Sequence, residues 1–122
     1  MNTGLDQYFT PTWAAELLLS RHFPELDMGD TVLDPSCGDG RLLMAVPDHV
    51  NAIGVEIDPD QAQQAAANSG REVYTGDFTE IEFDERPTAV FGNPPFSHKL
   101  FLQFLARCYE LRAKYKTKGW IL

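Results

Sequence analysis

Short apolar segments alternate with helical segments along nearly the whole chain, and this alternation constrains the fold more than any other feature. The segments that predict strands are 31–34, 52–57, 72–76, 88–91 and 120–122. Short apolar strands that alternate with helices are typical of a parallel sheet with helices on both faces. We therefore predict an α/β fold with this architecture, in which the last strand begins at Trp120.

The helix boundaries are predicted from capping residues and from apolar spacing. The first helix begins with Thr10 as its N-cap and Pro11 as its first residue, because proline lacks an amide hydrogen that is unsatisfied at that place anyway. Its predicted buried stripe consists of Trp13, Ala14, Leu17 and Leu18. A later helix begins at Asp58, which forms a capping box with Gln61, and ends at Gly70. The last helix covers residues 97–115.

The composition is that of an ordinary globular domain. The chain has 122 residues, of which 43% are hydrophobic and 23% are charged, and this length suits one core rather than two. No apolar run approaches the roughly 20 residues that cross a bilayer. The first residues do not resemble a secretory signal, and Cys37 and Cys108 show no metal-ligand or disulfide spacing. We expect a cytoplasmic protein without a metal site.

The charge is distributed unevenly along the chain. The net charge is −8, which divides into −13 for residues 1–98 and +5 for residues 99–122. The acidic part argues against independent, tight binding of nucleic acid. The basic part contains Lys99, Arg107, Arg112, Lys114, Lys116 and Lys118. It suits either contact with a phosphate backbone or an ordinary solvated helix face.

Polar residues and glycines gather where the predicted strands end, and the carboxyl ends of parallel strands meet at one edge of a sheet. The loop 34–40 follows the first strand, Glu56 lies in the second, Asp77 follows the third, and residues 93–96 follow the fourth. Glycines allow close approach of a ligand, and an acid such as Glu56 can accept two hydrogen bonds from ribose hydroxyls. The pattern predicts a nucleoside-binding site.

A dinucleotide is the competing ligand, and two features weigh against it. The third glycine of the dinucleotide pattern is missing, because Gly38 and Gly40 are followed by Arg41 and two leucines. Asp34 and Asp39 would also repel a pyrophosphate. A ligand with an adenosine, a ribose diol and a cationic end suits these acids better, and S-adenosylmethionine has all three.

The tetrapeptide Asn93-Pro94-Pro95-Phe96 predicts a loop that binds a methyl acceptor. Its two prolines fix φ and donate no amide, so the loop is stiff and its carbonyls can point at a ligand. The Asn93 side-chain oxygen and the Pro94 carbonyl can both accept hydrogen bonds from one amino group. Phe96 offers a flat face to a planar substrate.

These motifs together resemble the amino-group DNA methyltransferases of the N6-adenine kind. That family has a Phe-x-Thr-Pro or similar helix start, an Asp-Pro-x-Cys-Gly-x-Gly loop, an acid after strand two, an Asp-Phe or similar pair after strand three, and Asn-Pro-Pro-Tyr/Phe after strand four. All five elements occur here in that order over residues 9–96, and the order is similar to the gamma arrangement. Phe96 stands where tyrosine is commoner.

The resemblance implies a role for each matching residue. For S-adenosylmethionine binding these are Phe9, Thr10 and Pro11 over the cofactor, Asp34, Cys37, Gly38 and Gly40 at its methionine part, Glu56 on the ribose, Ile57 and Phe78 around the adenine, and Asp77 on the adenine amine. The implied catalytic residues are Asn93, Pro94, Pro95 and Phe96.

The resemblance also implies a Rossmann-like class I S-adenosylmethionine-dependent methyltransferase fold and methyl transfer to adenine N6 in DNA, with S-adenosylhomocysteine as product. Restriction-modification is the implied context. The family's sheet has more strands, so residues 1–122 are expected to be a partial catalytic domain without a target-recognition domain. It is expected to need another domain or subunit to act on duplex DNA, and the edge at strand five is expected to recruit a copy or a partner chain. Two alternatives stay open: a cofactor-binding interaction module without catalysis, and a methyltransferase acting on RNA or protein glutamine.

Overall fold

Residues 11–84, 86–93, 98–115 and 119–121 are described by a computed structural model. The helices are α1 (Thr12–His22), α2 (Arg41–Met44), α3 (Pro59–Ser69) and α4 (His98–Tyr115). The strands are β1 (Thr31–Asp34), β2 (Asn51–Glu56), β3 (Glu72–Thr75), β4 (Ala89–Phe91) and β5 (Trp120–Ile121). The predicted order of strands and helices is confirmed, with small shifts at several ends. Leu122 lies outside the described residues.

The strands form one parallel sheet in the order β3-β2-β1-β4-β5. The order reverses between β1 and β4, because the chain moves outward from β1 to β3 and then returns to the other side of β1. Such a reversal opens a crevice at the carboxyl ends of the strands on either side of it. Strand β5 lies at one edge of the described sheet, as predicted, and its recruitment of another chain stays a prediction.

Successive strand residues point to opposite faces of the sheet, which separates the core into two layers. On one face, Val32, Ala52 and Phe91 pack with apolar residues of α1, α2 and α3. On the other face, Leu33 and Val90 pack with Phe104, Cys108 and Leu111 of α4. The prediction of helices on both faces of a parallel sheet is confirmed. None of the helices in the described ranges is long and apolar enough to cross a bilayer.

Helix α1 corrects the sequence prediction in its start and in its buried face. It begins at Thr12, and Pro11 is the residue before it, with an extended ψ of 147° and a carbonyl that accepts from the amides of Ala14 and Ala15. The buried residues are Ala15 and Leu19. Three of the four residues of the predicted stripe are on the outside: Trp13 is 68% exposed, and Leu17 and Leu18 are also exposed. Ala14 is half-buried.

The start of helix α3 also differs from the prediction. Asp58 is the N-cap as predicted, and its Oδ1 accepts from the amide of Asp60 at 2.9 Å. The predicted capping box does not form, because the Asp58 amide donates to Glu56 Oε2 at 2.9 Å rather than to Gln61. The Gln61 Oε1 is buried without a partner among the described residues. Gly70 ends the helix in the left-handed conformation, with φ of 71°.

Arg71 ties the segment between α2 and β2 to the start of β3. Its guanidinium donates to the carbonyls of Val50 at 2.7 Å, Val46 at 3.1 Å and Pro47 at 3.0 Å.

Arg71→Ala removes a charged donor from all three carbonyls, so we expect the free energy of unfolding to fall by about 2 kcal/mol. Urea denaturation measures this, with Arg112→Ala on the exposed face of α4 as the control for loss of one positive charge. Equal stability of the two variants would show that the Arg71 bonds contribute nothing.

Candidate functional site

A cleft opens at the carboxyl ends of the strands where their order reverses. Its volume is about 360 Å³, within the range of roughly 300–1,000 Å³ that small-molecule sites occupy. The loops after β1 and β4 supply Pro35, Ser36 and Asn93, and the residues at the ends of β2 and β3 supply Glu56, Ile57, Gly76, Asp77 and Phe78. Leu100 and Phe104 of α4 close one side. The cleft therefore combines acidic and apolar walls.

Glu56 links three segments at the floor of the cleft. Its Oε1 accepts from the Gly38 amide at 2.9 Å, and its Oε2 accepts from the Asp58 amide at 2.9 Å. The carboxylate therefore joins the glycine loop after β1 to the start of α3. Each oxygen of a carboxylate has two acceptor positions, so Glu56 retains capacity to bind a ligand while it holds these amides.

The glycine loop after β1 turns tightly between the sheet and α2. The Cys37 amide donates to the Val55 carbonyl at 2.9 Å, and the Gly40 amide donates to the Cys37 carbonyl at 2.8 Å. Gly40 has φ of 94°, and a Cβ there would lie 3.0 Å from the carbonyl oxygen of Ala65 in α3. Only glycine fits that conformation and that close approach.

The Cys37 side chain belongs to the core rather than to the cleft. A Cβ placed on Gly54 of β2 would lie 2.7 Å from the Cys37 Sγ, so the thiol packs directly against that strand. Burial, together with the nearby acids Asp34 and Glu56, raises the pKa of the thiol and keeps it protonated. Within the described ranges, no three His, Cys, Asp or Glu side chains are grouped as metal ligands would be.

Asp34 is buried at the end of β1, with 2% of its surface exposed. Its Oδ1 accepts from the Ser36 amide at 3.1 Å. Burial raises the pKa of the carboxyl to about 7; the bond from Ser36 opposes the rise, and the negative charge of Glu56 adds to it. The neutral carboxyl is therefore strongly populated near neutral pH.

The raised pKa of Asp34 predicts a pH-dependent stability. The carboxyl titrates near 7 in the folded protein and near 3.9 in an unfolded chain, so the folded state binds more protons between these values. The free energy of unfolding should therefore fall as the pH rises, by about 2 kcal/mol between pH 5 and pH 7. The asparagine in Asp34→Asn cannot ionise, so the free energy of unfolding of this variant should not show this decrease. Urea titrations at several pH values measure both proteins, and parallel profiles would contradict the prediction.

The far end of the cleft has an apolar surface beside an acid. Ile57 is 69% exposed at the rim, and the buried Phe78 packs against Phe104 with ring centroids 5.0 Å apart. Asp77 Oδ1 accepts from the Thr79 amide at 2.9 Å and from its hydroxyl at 2.7 Å. Both bonds are made to Oδ1, and they fix the orientation of a carboxylate that lines the cleft.

The loop after β4 lies directly on the loop after β1. A Cβ on Gly92 would lie 2.6 Å from Pro35 Cδ and 2.8 Å from Asp34 Oδ1, so no side chain fits there. One residue later, the Asn93 carbonyl accepts from the Ser36 hydroxyl at 2.8 Å. Asn93 is exposed and lines the cleft.

Comparisons with known proteins find similar methyltransferases. No protein-family model matches the chain. The Type II methyltransferase M.CvrRI of Paramecium bursaria Chlorella virus XZ-6E is 31% identical over 96 residues, which are 73% of this chain and 24% of that protein. The structure of PH1948 from Pyrococcus horikoshii, a proposed RNA methyltransferase, matches with a TM-score of 0.69 and 28% identity over 91% of this chain and 61% of that chain.

An RNA methyltransferase of Salinibacter ruber in complex with S-adenosyl-L-homocysteine matches with a TM-score of 0.59 and 29% identity over 70% of this chain and 60% of that chain. This chain thus spans less than two thirds of each relative. The two solved structures share the overall arrangement of its helices and strands. The chain has the Rossmann-like fold of the class I S-adenosylmethionine-dependent methyltransferases. The predicted fold class is confirmed.

The cleft of this methyltransferase fold brings together part of the predicted site. Glu56, Ile57, Asp77, Phe78 and Asn93 line it. Pro11, Asp34, Cys37, Gly38 and Gly40 are described but do not line it. Phe9, Thr10, Pro94, Pro95 and Phe96 lie outside the described residues. The ligand roles of all these residues stay predictions.

Five residues of the cleft had no predicted role there: Pro35, Ser36, Gly76, Leu100 and Phe104. Leu100 and Phe104 are four residues apart on α4 and so share one face of the helix. The prediction of a helix over residues 97–115 does not show that one face of this helix also lines the cleft. Ser36 is one residue of a predicted glycine loop, and its contact with Asn93 spans 57 positions of the chain. Local spacing carries no sign of that contact.

Proposed function

We propose that the chain is the catalytic part of a methyltransferase that transfers a methyl group from S-adenosylmethionine to the N6 amino group of adenine in DNA. The observation that carries the proposal is the position of Asn93 on the same cleft as Glu56 and Asp77. A loop suited to hold an amino group thus adjoins a pocket suited to hold a nucleoside. The curated relative, a Type II methyltransferase, supports the same class of reaction.

The acidic residues of the cleft fit the polar parts of the cofactor. Glu56 has one amide donor on each oxygen, and the remaining acceptor positions match the two hydroxyls of a ribose. Asp77 is held through its Oδ1, and its Oδ2 suits the exocyclic amine of adenine. Both side chains therefore accept hydrogen bonds, which is the function that these groups of the ligand require.

The apolar residues of the cleft fit the adenine ring. Ile57 and Phe78 line the cleft together with Asp77, and Phe104, which also lines it, packs against Phe78. A planar base between an aliphatic and an aromatic side chain buries apolar surface on both of its faces. When bound, S-adenosylmethionine supplies an electrophilic methyl group on a sulfonium and becomes S-adenosylhomocysteine.

The acceptor nitrogen of adenine requires activation by the loop after β4. Its lone pair is delocalised into the ring, so it is a poor nucleophile. The Asn93 side-chain oxygen and the Pro94 carbonyl would each accept one of its hydrogens and favour a pyramidal nitrogen. Phe96 would stack on the base once it has left the helix. Catalysis is then positioning and charge complementarity, without a covalent intermediate.

RNA is the second candidate acceptor. Two of the matching structures with more than 25% identity are described as RNA methyltransferases, one of them provisionally, at 29% and 28% identity. The DNA assignment is supported by the relative M.CvrRI and by the Asp34-Pro35 and Thr10-Pro11 steps, which resemble those of the DNA enzymes. We therefore argue for DNA and test RNA directly.

A labelled-methyl assay compares the acceptors. The chain is incubated with methyl-labelled S-adenosylmethionine and one adenine-containing sequence as single-stranded DNA, duplex DNA or RNA. We expect single-stranded DNA to be the best acceptor and duplex DNA a poor one, because extruding a base costs a few kcal/mol and residues 1–98 carry a charge of −13. If RNA is labelled faster than either form of DNA, the proposed substrate becomes RNA instead of DNA. Cofactor binding without transfer to any acceptor would make the chain a binding module.

A further inference from the structure

Ser36 joins the two loops on which the proposed reaction depends. Its hydroxyl donates to the Asn93 carbonyl at 2.8 Å. Its own amide donates to Oδ1 of the buried Asp34 at 3.1 Å. Asp34, at the end of β1, therefore holds Ser36 in place. Ser36 in turn holds Asn93, the residue before Pro94.

The loops that Ser36 joins are also in direct steric contact. Gly92 lies so close to Pro35 and Asp34 that a Cβ on it would be 2.6 Å and 2.8 Å from them. Close packing keeps the two loops at a set separation but does not set the rotation of a peptide plane. A hydrogen bond to a carbonyl does set that rotation, because the hydrogen prefers to lie near the plane of the carbonyl group.

The peptide that Ser36 holds is the one between Asn93 and Pro94. Proline offers no amide hydrogen, so the carbonyl of this peptide is its one hydrogen-bonding group. Its orientation sets the ψ angle of Asn93 and hence the direction in which the chain continues from Asn93. The place of the Pro94 carbonyl, one of the two acceptors assigned to the adenine amino group, follows from that direction.

We infer that Ser36 is a positioning residue for methyl transfer: its hydroxyl orients the Asn93 carbonyl and so aligns the acceptor loop with the cofactor cleft. The inference rests on the proposed function. The role inferred for Ser36 differs from that of Glu56, because loss of the Ser36 hydroxyl should slow methyl transfer without weakening cofactor binding. Ser36 also lines the cleft, so a direct contact with the cofactor is the competing role that the experiment has to exclude.

The test compares Ser36→Ala with Ser36→Thr, which keeps the hydroxyl. Ser20→Ala is the control, because the Ser20 hydroxyl bonds only locally to the Leu17 carbonyl at 3.0 Å on an exposed face. For Ser36→Ala we expect kcat with single-stranded DNA to fall about tenfold, a change of about 1.4 kcal/mol that is typical of one lost hydrogen bond. The Kd for S-adenosylmethionine should change less than twofold. The decrease in log kcat for Ser36→Thr should be at most half of the decrease for Ser36→Ala.

Hydrogen exchange gives a second readout that needs no activity. Amides of the segment 88–93 should exchange faster in Ser36→Ala than in the wild type, and those of β2 should not change. If the wild type transfers no methyl group to any acceptor, the proposed function fails, and the exchange of this segment then decides whether the hydroxyl holds the loop.

Three results would overturn the inference while leaving the proposed function intact. The first is an unchanged kcat in Ser36→Ala. The second is a parallel loss of cofactor affinity, which would make Ser36 a cofactor contact. The third is a Ser36→Thr variant as slow as Ser36→Ala, which would show that the hydroxyl is not the cause. In the absence of activity, unchanged exchange of segment 88–93 would overturn it as well.

Discussion

Glu56→Ala is expected to weaken S-adenosylmethionine binding by about 2–4 kcal/mol, or roughly 30- to 1,000-fold in Kd. The variant loses the acceptors proposed for the ribose diol. It also releases the amides of Gly38 and Asp58, which Glu56 holds at 2.9 Å each, so the loops that shape the cleft lose their link. Isothermal titration calorimetry with the cofactor measures the effect.

Two further variants separate recognition from folding in this experiment. Glu80→Ala removes the same charge from an exposed residue outside the cleft and should bind the cofactor like the wild type. Glu56→Gln keeps the shape and one acceptor oxygen, and should be intermediate in affinity. Thermal unfolding of each variant identifies loss of structure. A folded Glu56→Ala protein that binds within threefold of the wild type would contradict the ribose assignment.

Asn93→Ala is expected to lower methyl transfer at least 100-fold, which is about 2.7 kcal/mol or more in the barrier. The amide oxygen is one of the two acceptors proposed for the adenine amino group, and alanine cannot replace it. The backbone carbonyl that bonds to Ser36 is retained, so the loop should keep its contact. Cofactor affinity should therefore change less than threefold.

A matched asparagine provides the control. Asn51 is exposed at the first residue of β2, at the opposite end of the strand from Glu56, and Asn51→Ala should transfer methyl groups like the wild type. Rates are compared at saturating cofactor, so that only the acceptor step is tested. Transfer by Asn93→Ala at more than a tenth of the wild-type rate would remove Asn93 from the mechanism.

The sheet and much of the site follow from local sequence signals. Strands β1 and β4 are predicted from apolar residues such as Val32, Leu33 and Val90, and both faces of each strand are buried. The order of strands along the chain then requires Glu56 and Asp77 to lie at one edge of a parallel sheet. Strand alternation and the position of each acid after a strand are therefore enough to predict that these side chains share a cleft.

The buried face of α1 could not be predicted because the helix has apolar residues on more than one of its faces. Trp13, Leu17 and Leu18 have helical spacing, but Ala15 and Leu19 have it as well. Only packing on the sheet decides between the two faces, and the smaller Ala15 allows closer approach. The large side chains consequently remain exposed.

The missed contacts depend on residues that are distant in sequence. Gln61 has the spacing of a capping box, but Glu56 from the preceding strand reaches the Asp58 amide instead. Ser36 and Asn93 meet because β1 and β4 are neighbours in the sheet. Such contacts follow from strand order and register, which local patterns do not specify.

The position of the transferred methyl group is the most direct test of the proposed reaction. The chain is incubated with methyl-labelled S-adenosylmethionine and a single-stranded DNA that contains adenine and cytosine, and the DNA is then digested to nucleosides. We expect the label in N6-methyldeoxyadenosine with the wild type and none with Asn93→Ala. Label in a cytosine product, or no label from a chain that binds the cofactor, would contradict adenine N6 methylation.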